Sequence, residues 1–492
     1  MAGSTTSIQS TKTVNTNGNK NYRSAFVVMT TLFFMWGFIT CMNDILIPFL
    51  KKAFELTYDQ AMLVQMSFFG AYFIGSLIYF IISSTTGDPI YKIGYKKGIL
   101  IGLFLSALGC VMFYPAAELR IFGMFLAALF ILGLGFTMLQ IAANPYISIL
   151  GKPEGASSRL NLAQGFNSFG TTIAPIVGGY FVFHFFANYG KTLLDKHGNV
   201  ITSDLGQPLT AFSVQVPYLV FAGIFILLAV LIAFTRLPKF NEGQEIEKNA
   251  GALQYRNLVL GFVAIFMYVG AEVTIGSFFI NYANEIMNFP EMIAKSYLAF
   301  YWGGAMIGRF MGAISLSEKG TNKSKILGML ATSIMGFFLI YFVVRLESTD
   351  GISLAKVWPF ALFLVLNFAA FRLGRSLPAR TLLIFALVNI VLLAFTLGSG
   401  GVYSLWFLIG IGLFNSIMWS NIFTLAIKGL GRYTSQGSSI LIMGILGGAI
   451  LPFLQGVIAR NLGAIHFSFF LPLLAYIYLA YYGWKGHIPR KF

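Results

Sequence analysis

Two acidic residues stand inside apolar runs of helix length, Asp44 in FFMWGFITCMNDILIPFL (33–50) and Glu272 in IFMYVGAE (265–272). A carboxylate near the middle of a bilayer costs on the order of 3 kcal/mol to insert, so it normally faces a partner or a wet cavity. Held away from bulk water, such an acid can load and release a proton near neutral pH. The same oxygens can hold Na⁺ instead, helped by Asn43 and by carbonyls of a broken helix. Asp44 and Glu272 are therefore the candidates for cation coupling. The competing structural readings are a headgroup position for Asp44, since Lys51 and Lys52 follow it, and a plain inter-helix hydrogen bond for Glu272.

Neutral polar residues make a second set. Gln140 and Asn144 share one helix face at i, i+4, and Gln164 and Asn167 share another at i, i+3. Each amide offers two donors and an acceptor, which suits a ligand studded with hydroxyls. Trp36, Tyr268 and Trp419 can supply flat faces for the C–H surfaces of a sugar, and Asn421 stands in the second half where Asn144 stands in the first. Asn43, Gln140, Asn144, Gln164, Asn167, Asn421 and these three aromatic residues are the candidate substrate-binding residues. The competing reading is that the amides only bond helix to helix, where such bonds are worth ~0.6 kcal/mol.

The elements that must position these groups follow from composition. With 57% hydrophobic and 10% charged residues among 492, the chain is not a soluble domain with one core. Crossing the hydrocarbon takes about 20 apolar residues, and such runs recur along nearly the whole chain. Backbone groups in lipid must be satisfied within the segment, so the runs read as helices, and they lack the alternation of barrel strands. The spacing predicts an all-α polytopic membrane protein with spans at 25–50, 59–84, 98–116, 121–149, 160–186 and 214–236. After a polar linker, further spans fall at 255–284, 292–316, 323–345, 356–372, 380–398, 402–428, 434–459 and 465–485, fourteen in all. The net charge of +16 is spread through loops rather than gathered into a stripe, which argues against nucleic acid and for topology. Most of the 33 Lys and Arg fall on one side if both termini are cytoplasmic. The chain divides into a disordered cytoplasmic tail (1–24), a first bundle (25–236), a cytoplasmic linker (237–254), a second bundle (255–485) and a short tail (486–492). The external loop at 187–213 reads as turn-forming and solvated. Cys41 and Cys110 form no disulfide framework and no metal spacing. There is no phosphate-binding loop, nucleophile constellation or metal cluster, so the chain is read as neither an ATP-driven pump nor an enzyme. It needs no cofactor beyond a coupling ion, H⁺ or Na⁺.

The two halves echo each other. FFMWG (33–37) is matched by IFMYVG (265–270), GLGFTMLQIAAN (133–144) by GIGLFNSIMWSN (410–421), and SFGTTIAP (168–175) by GILGGAILP (444–452), in the same order. A duplicated bundle places a solute site near the midplane between repeats. The second half has two spans more than the first, assigned to an inserted hairpin, 323–372, without a transport role. Arg309, in IGRFMG (307–312), is expected at the cytoplasmic end of its helix, holding an inner gate or snorkelling.

MNDILIPF (42–49), AANPY (142–146), RLNLAQGFNSFG (159–170) and YVGAE (268–272) resemble the major facilitator superfamily, and within it the fucose–proton symporter family with its glucose/galactose permease branch. The resemblance covers most of 25–485. It implies two pseudo-symmetric six-helix bundles, a protonation or sugar-coupled role for Asp44, and a sugar cavity lined by Trp36, Gln164 and Asn167. The chain departs from the family's fucose carriers at four positions. Gln140 stands where they have an acid and Glu272 where they have an amide, while Cys41 and Trp419 replace an Asn and a Tyr. An acid exchanged between helices points away from fucose. The expected function is import of a glucose- or galactose-type hexose by alternating access with cation symport, as a monomer in a bacterial inner membrane. The alternatives are N-acetylglucosamine or fucose as the sugar, or else an exporter of amphipathic compounds or a sugar sensor that moves nothing.

Overall fold

The computed structural model describes residues 23–54, 58–181, 189, 192–193, 199–202, 208–235, 237–238, 248–347 and 353–492; the side chains of 23, 43–49, 51–53, 58–62, 65, 176 and 178–179 lie outside the description. The first half holds α1 (Arg23–Ala53), α2 (Tyr58–Thr86), the short α3 (Pro89–Ile93), α4 (Tyr95–Leu119), α5 (Phe122–Ile149), α6 (Ala156–Tyr180) and α7 (Phe212–Phe234). The second holds α8 (Arg256–Met287), α9 (Glu291–Ser315), α10 (Asn322–Glu347), α11 (Leu354–Gly374), α12 (Pro378–Gly398), α13 (Gly401–Asn415), α14 (Met418–Ala426), α15 (Thr434–Met443), α16 (Gly447–Leu462) and α17 (Phe470–Tyr481). Among the described residues, twelve helical segments are long and apolar enough to cross a membrane. The helices α6 and α9, 25 residues each, fall outside that set because they carry more polar and small residues, and they bring the long segments to fourteen.

Packing repeats between the halves. In the first, α1 runs along α6, α4 against α5 and α7, and α2 against α5. In the second, α8 runs along α16, α12 against α13 and α17, and α9 against α13. The helices α10 and α11 have no counterpart in the first half and rest on the outside of α9 and α13, with Met335, Phe342 and Val365 exposed outward as a lipid-facing surface requires. The close α1–α6 and α8–α16 approaches depend on glycine: a Cβ on Gly37 would run into the Asn167 carbonyl, and one on Gly447 into that of Phe266.

Two expected spans are broken. The run expected as one helix at 402–428 splits at Ser416–Ile417 into α13 and α14, and the run at 434–459 splits at Gly444–Leu446, a 3₁₀ turn, into α15 and α16. Hydropathy cannot register such breaks, because an interrupted helix in a protein-lined interior is as apolar as a continuous one. The N-terminal tail through residue 22, residues 239–247 of the linker and most of the 187–213 loop lie outside the described residues. Within that loop Leu193 and Leu209 are buried, and the Leu193 N–H donates to the Leu209 carbonyl at 2.8 Å.

Hydrogen bonds between the halves concentrate at the end holding the start of α8 and the last residues of the chain. Asp88, which caps α3, accepts from the hydroxyls of Tyr79 at 2.7 Å, Ser83 at 3.3 Å and, across the seam, Ser435 at 2.7 Å. The Gln436 amide donates to Ser83 Oγ at 3.1 Å and accepts from the Ala252 N–H at 2.9 Å, tying α15 to α2 and to the linker. On the other flank, Ser157 and Thr424 hydroxyls meet at 2.6 Å, Ser158 Oγ donates to the Ala313 carbonyl at 2.6 Å, and Asn161 Nδ2 donates to Asn421 Oδ1 at 3.2 Å. This end of the seam is closed.

Candidate functional site

In the second half the centre of the site is an ion pair. Glu272 lies on α8 one turn after Tyr268, and its Oε1 is 3.5 Å from Nη2 of Arg309 on α9, both side chains being about seven-eighths buried. The Arg309 guanidinium also donates through Nη1 to Ser168 Oγ, which comes from α6 of the other half. Its Nε donates to the Ser416 carbonyl at 3.2 Å. That carbonyl is available because α13 stops at Asn415 and α14 starts at Met418, so the interruption leaves an acceptor for a cation. The Tyr268 hydroxyl faces the same pair. A buried charge needs a partner and hydrogen bonds to be tolerated; Arg309 is so supplied by Glu272, Ser168 and Ser416.

Behind the pair lies a neutral network. Tyr301 OH donates to the main-chain carbonyl of Glu272 at 3.0 Å and accepts from Asn415 Nδ2 at 3.0 Å. Asn415 Oδ1 accepts in turn from Tyr476 OH at 2.7 Å and Asn389 Nδ2 at 3.0 Å. All four side chains are fully buried.

In the first half the corresponding wall has no charge among its described side chains. The Tyr72 hydroxyl bonds to both Trp36 and Gln140, and the Trp36 ring packs against Phe33 and Phe136 with centroids 5.4 and 6.1 Å away. Gln164 is buried on α6, one turn before Ser168. Asn167 is half-buried and its Nδ2 donates to the Phe33 carbonyl at 3.0 Å, which binds α6 to α1. Asn144 is fully buried with neither its Oδ1 nor its Nδ2 partnered. Trp419 is buried on α14, its Nε1 without a partner and its ring stacked on Phe423.

Several expected site residues therefore converge. Trp36 and Gln140 meet through Tyr72, and Tyr268 and Glu272 meet through Arg309. Asn421 has a different occupation: it bonds Asn161 across the seam and donates to the Pro378 carbonyl at 3.1 Å, at the closed end. Asn43 and Asp44 lie on α1, but their side chains are outside the described residues. Arg309 corrects the reading from sequence. Of its two readings snorkelling falls, since the side chain is buried against Glu272 and the opposite half, because the α13–α14 break and Ser168 supply acceptors that hydropathy does not register; the gate reading stands. Tyr72, Ser168, Tyr301 and Asn415 had not been singled out; the signal for the last was its place next to the interrupted helix, which becomes visible only once the chain is folded.

The arrangement has known counterparts. The model of the Major Facilitator Superfamily matches residues 24–371. The chain is 41% identical over 476 residues, 96% of each chain, to a "Glucose/galactose transporter" of Brucella abortus biovar 1 (strain 9-941). It is 31% identical over 466 residues to the "L-fucose-proton symporter" of Escherichia coli (strain K12), covering 93% of this chain and 92% of that one. Among solved structures, a transporter of the same superfamily, FucP, in the outward conformation superposes with a TM-score of 0.72 at 28% identity, covering 94% of this chain and 99% of that chain. Two bundles with the same internal packing and a family match over most of the length agree: the chain belongs to the Major Facilitator Superfamily.

Proposed function

We propose that this protein is a secondary active transporter that imports a hexose of the glucose/galactose type by alternating access, coupled to a cation. The observation that carries the reading is the buried Glu272–Arg309 pair set against Ser168 of the opposite half. A carboxyl whose ionisation decides whether an arginine is paired at the seam can make the relation of the two bundles depend on a bound proton. The substrate class rests on likeness to relatives named glucose/galactose transporter, 41% and 36% identical over nearly their whole lengths. The amide and indole wall of Trp36, Tyr72, Gln140 and Gln164 is chemically suited to it, offering donors and acceptors for hydroxyls and a flat apolar face for the ring. Na⁺ in place of H⁺ is the second coupling reading, and fucose the second sugar, favoured by the relatives named as fucose–proton symporters.

Alternating access here means that the seam closed by Asp88, Ser435, Ser157 and Thr424 opens as the opposite end closes, with sugar and proton between them. The closed end faces the cytoplasm in this reading, with both termini on that side of a bacterial inner membrane. The reading is tested by competition of a sugar panel against labelled glucose uptake, with and without Na⁺ and at two pH values. Absence of competition by any hexose would sink it.

Two substitutions probe the site directly. Gln164→Ala should weaken sugar binding by about 1–3 kcal/mol, the cost of leaving a buried hydroxyl partner unmatched, as read by equilibrium binding; unchanged affinity would reduce Gln164 to helix packing. Asp44→Asn should lower uphill accumulation while leaving downhill uptake in place. Accumulation at the wild-type level would remove Asp44 from coupling.

A further inference from the structure

Resting on Glu272 as the coupling acid, we propose that Asn415 is a positioning residue that ties the α13–α14 break to the Glu272 turn, making α14 the arm through which the ion pair holds the seam closed. Asn415 and Ser416 are consecutive, and each is reached from the ion pair by its own route. The side-chain route runs from Glu272 through Arg309 to the Ser416 carbonyl at 3.2 Å. The main-chain route runs from the Glu272 carbonyl through Tyr301 to Asn415, both bonds at 3.0 Å. Tyr476 and Asn389, from two further helices, anchor Asn415 at 2.7 and 3.0 Å, which fixes the α13 side of the break. On the other side of the break lies α14, nine residues long, tied at its far end to α8 by Asn257, which donates to the Leu425 and Ala426 carbonyls. The helix α14 carries Asn421 and Thr424, which close the seam against Asn161 and Ser157 of the other half. The helix that ends at the ion pair thus begins again as the piece that closes the transport path.

A break of this kind is a hinge, where a few residues take up the change in backbone angles. While Glu272 is ionised, Arg309 has its counter-charge and grips the Ser416 carbonyl. When a proton from solution forms an O–H bond on the carboxyl, no covalent bond in the protein breaks; Arg309 loses the counter-charge that holds its guanidinium in place beside Ser416, and its hold there loosens. Asn415 keeps the break registered to Glu272, so the loosening reaches α14 rather than dissipating in α13. Among the described side chains, the titratable groups facing Glu272 are Arg309 and Tyr301 from α9, Tyr476 from α17 and Tyr268 on its own helix. The helices α14 and α15 carry no titratable residue.

The test uses the full chain in proteoliposomes with Cys41→Ser and Cys110→Ala, plus Ser157→Cys and Thr424→Cys, whose disulfide forms only when α14 lies against α6. Oxidative cross-linking, scaled at each pH to the reactivity of the single-cysteine variants so that thiol ionisation cancels, should be several-fold slower at mildly acidic than at mildly alkaline pH. Adding Glu272→Gln should give the slow rate at both. Adding Tyr301→Phe, which removes one hydroxyl, or Asn415→Leu should abolish most of the pH response while sugar affinity stays near that of the parent. A structural role alone would not separate the two readouts. A parental pH response in both Tyr301→Phe and Asn415→Leu overturns the positioning role and leaves Glu272 in place. A parental response in Glu272→Gln overturns the coupling role of Glu272 itself.

Discussion

Replacing Glu272 with glutamine is expected to abolish accumulation against a gradient and to spare exchange of labelled for unlabelled sugar. Glutamine keeps the size of the side chain and can still offer an oxygen to Arg309 at the 3.5 Å site, so the binding surface survives, but it carries no proton to couple. One charge moved through 100 mV is worth ~2.3 kcal/mol, which is about a fifty-fold concentration ratio for a one-to-one symporter. That ratio should collapse to near unity in Glu272→Gln, while counterflow, which needs no gradient, stays close to the parental rate. Accumulation surviving at full size would show that Glu272 is a structural partner of Arg309 and that the coupled cation binds elsewhere.

Arg309→Met should produce the largest loss of stability of any single substitution in the site. Removing one member of a buried pair leaves the other charge uncompensated, at a cost of about 3–5 kcal/mol, whereas replacing both members by neutral groups is often nearly neutral. Arg309→Met also removes two further bonds at once, to the Ser416 carbonyl and to Ser168 of the opposite half. The double variant Glu272→Gln, Arg309→Met should therefore recover most of the lost thermal stability in detergent, though not the transport. The sign of the coupling is the diagnostic: contacting charges give strongly non-additive effects, independent sites add. A double variant as unstable as the two singles summed would mean that the 3.5 Å approach contributes nothing energetically.

The consequences of these two variants differ because Arg309 has a place in the fold as well as in the chemistry. Glu272 holds Arg309; Arg309 holds the α13–α14 break and reaches the first half through Ser168. Loss of the acid leaves an arginine that still has two acceptors. Loss of the arginine leaves an acid with none of comparable strength.

What the amino-acid sequence determined by itself was everything that depends on local apolarity and on order along the chain. The spans follow from runs of apolar residues longer than the hydrocarbon is thick. The inserted pair α10–α11 follows from the count against the other half, and the prominence of Glu272 from the cost of a lone acid in such a run. Tertiary structure decided whatever depends on which side chains meet. Arg309 and its partner Glu272 are 37 positions apart, Ser168 is 141 from Arg309, and Asp88 is 347 from Ser435. No window the length of a single helix contains both members of any of these contacts. Arg309 read as an end-of-helix residue because an arginine in an apolar run is cheapest near the headgroups; it is stable deep in the protein because three elements distant in sequence bring it a carboxylate, a hydroxyl and a carbonyl freed by a helix break. Apolar periodicity reports how far a segment is from water. It does not report what stands opposite, and in this chain the coupling chemistry lies in what stands opposite.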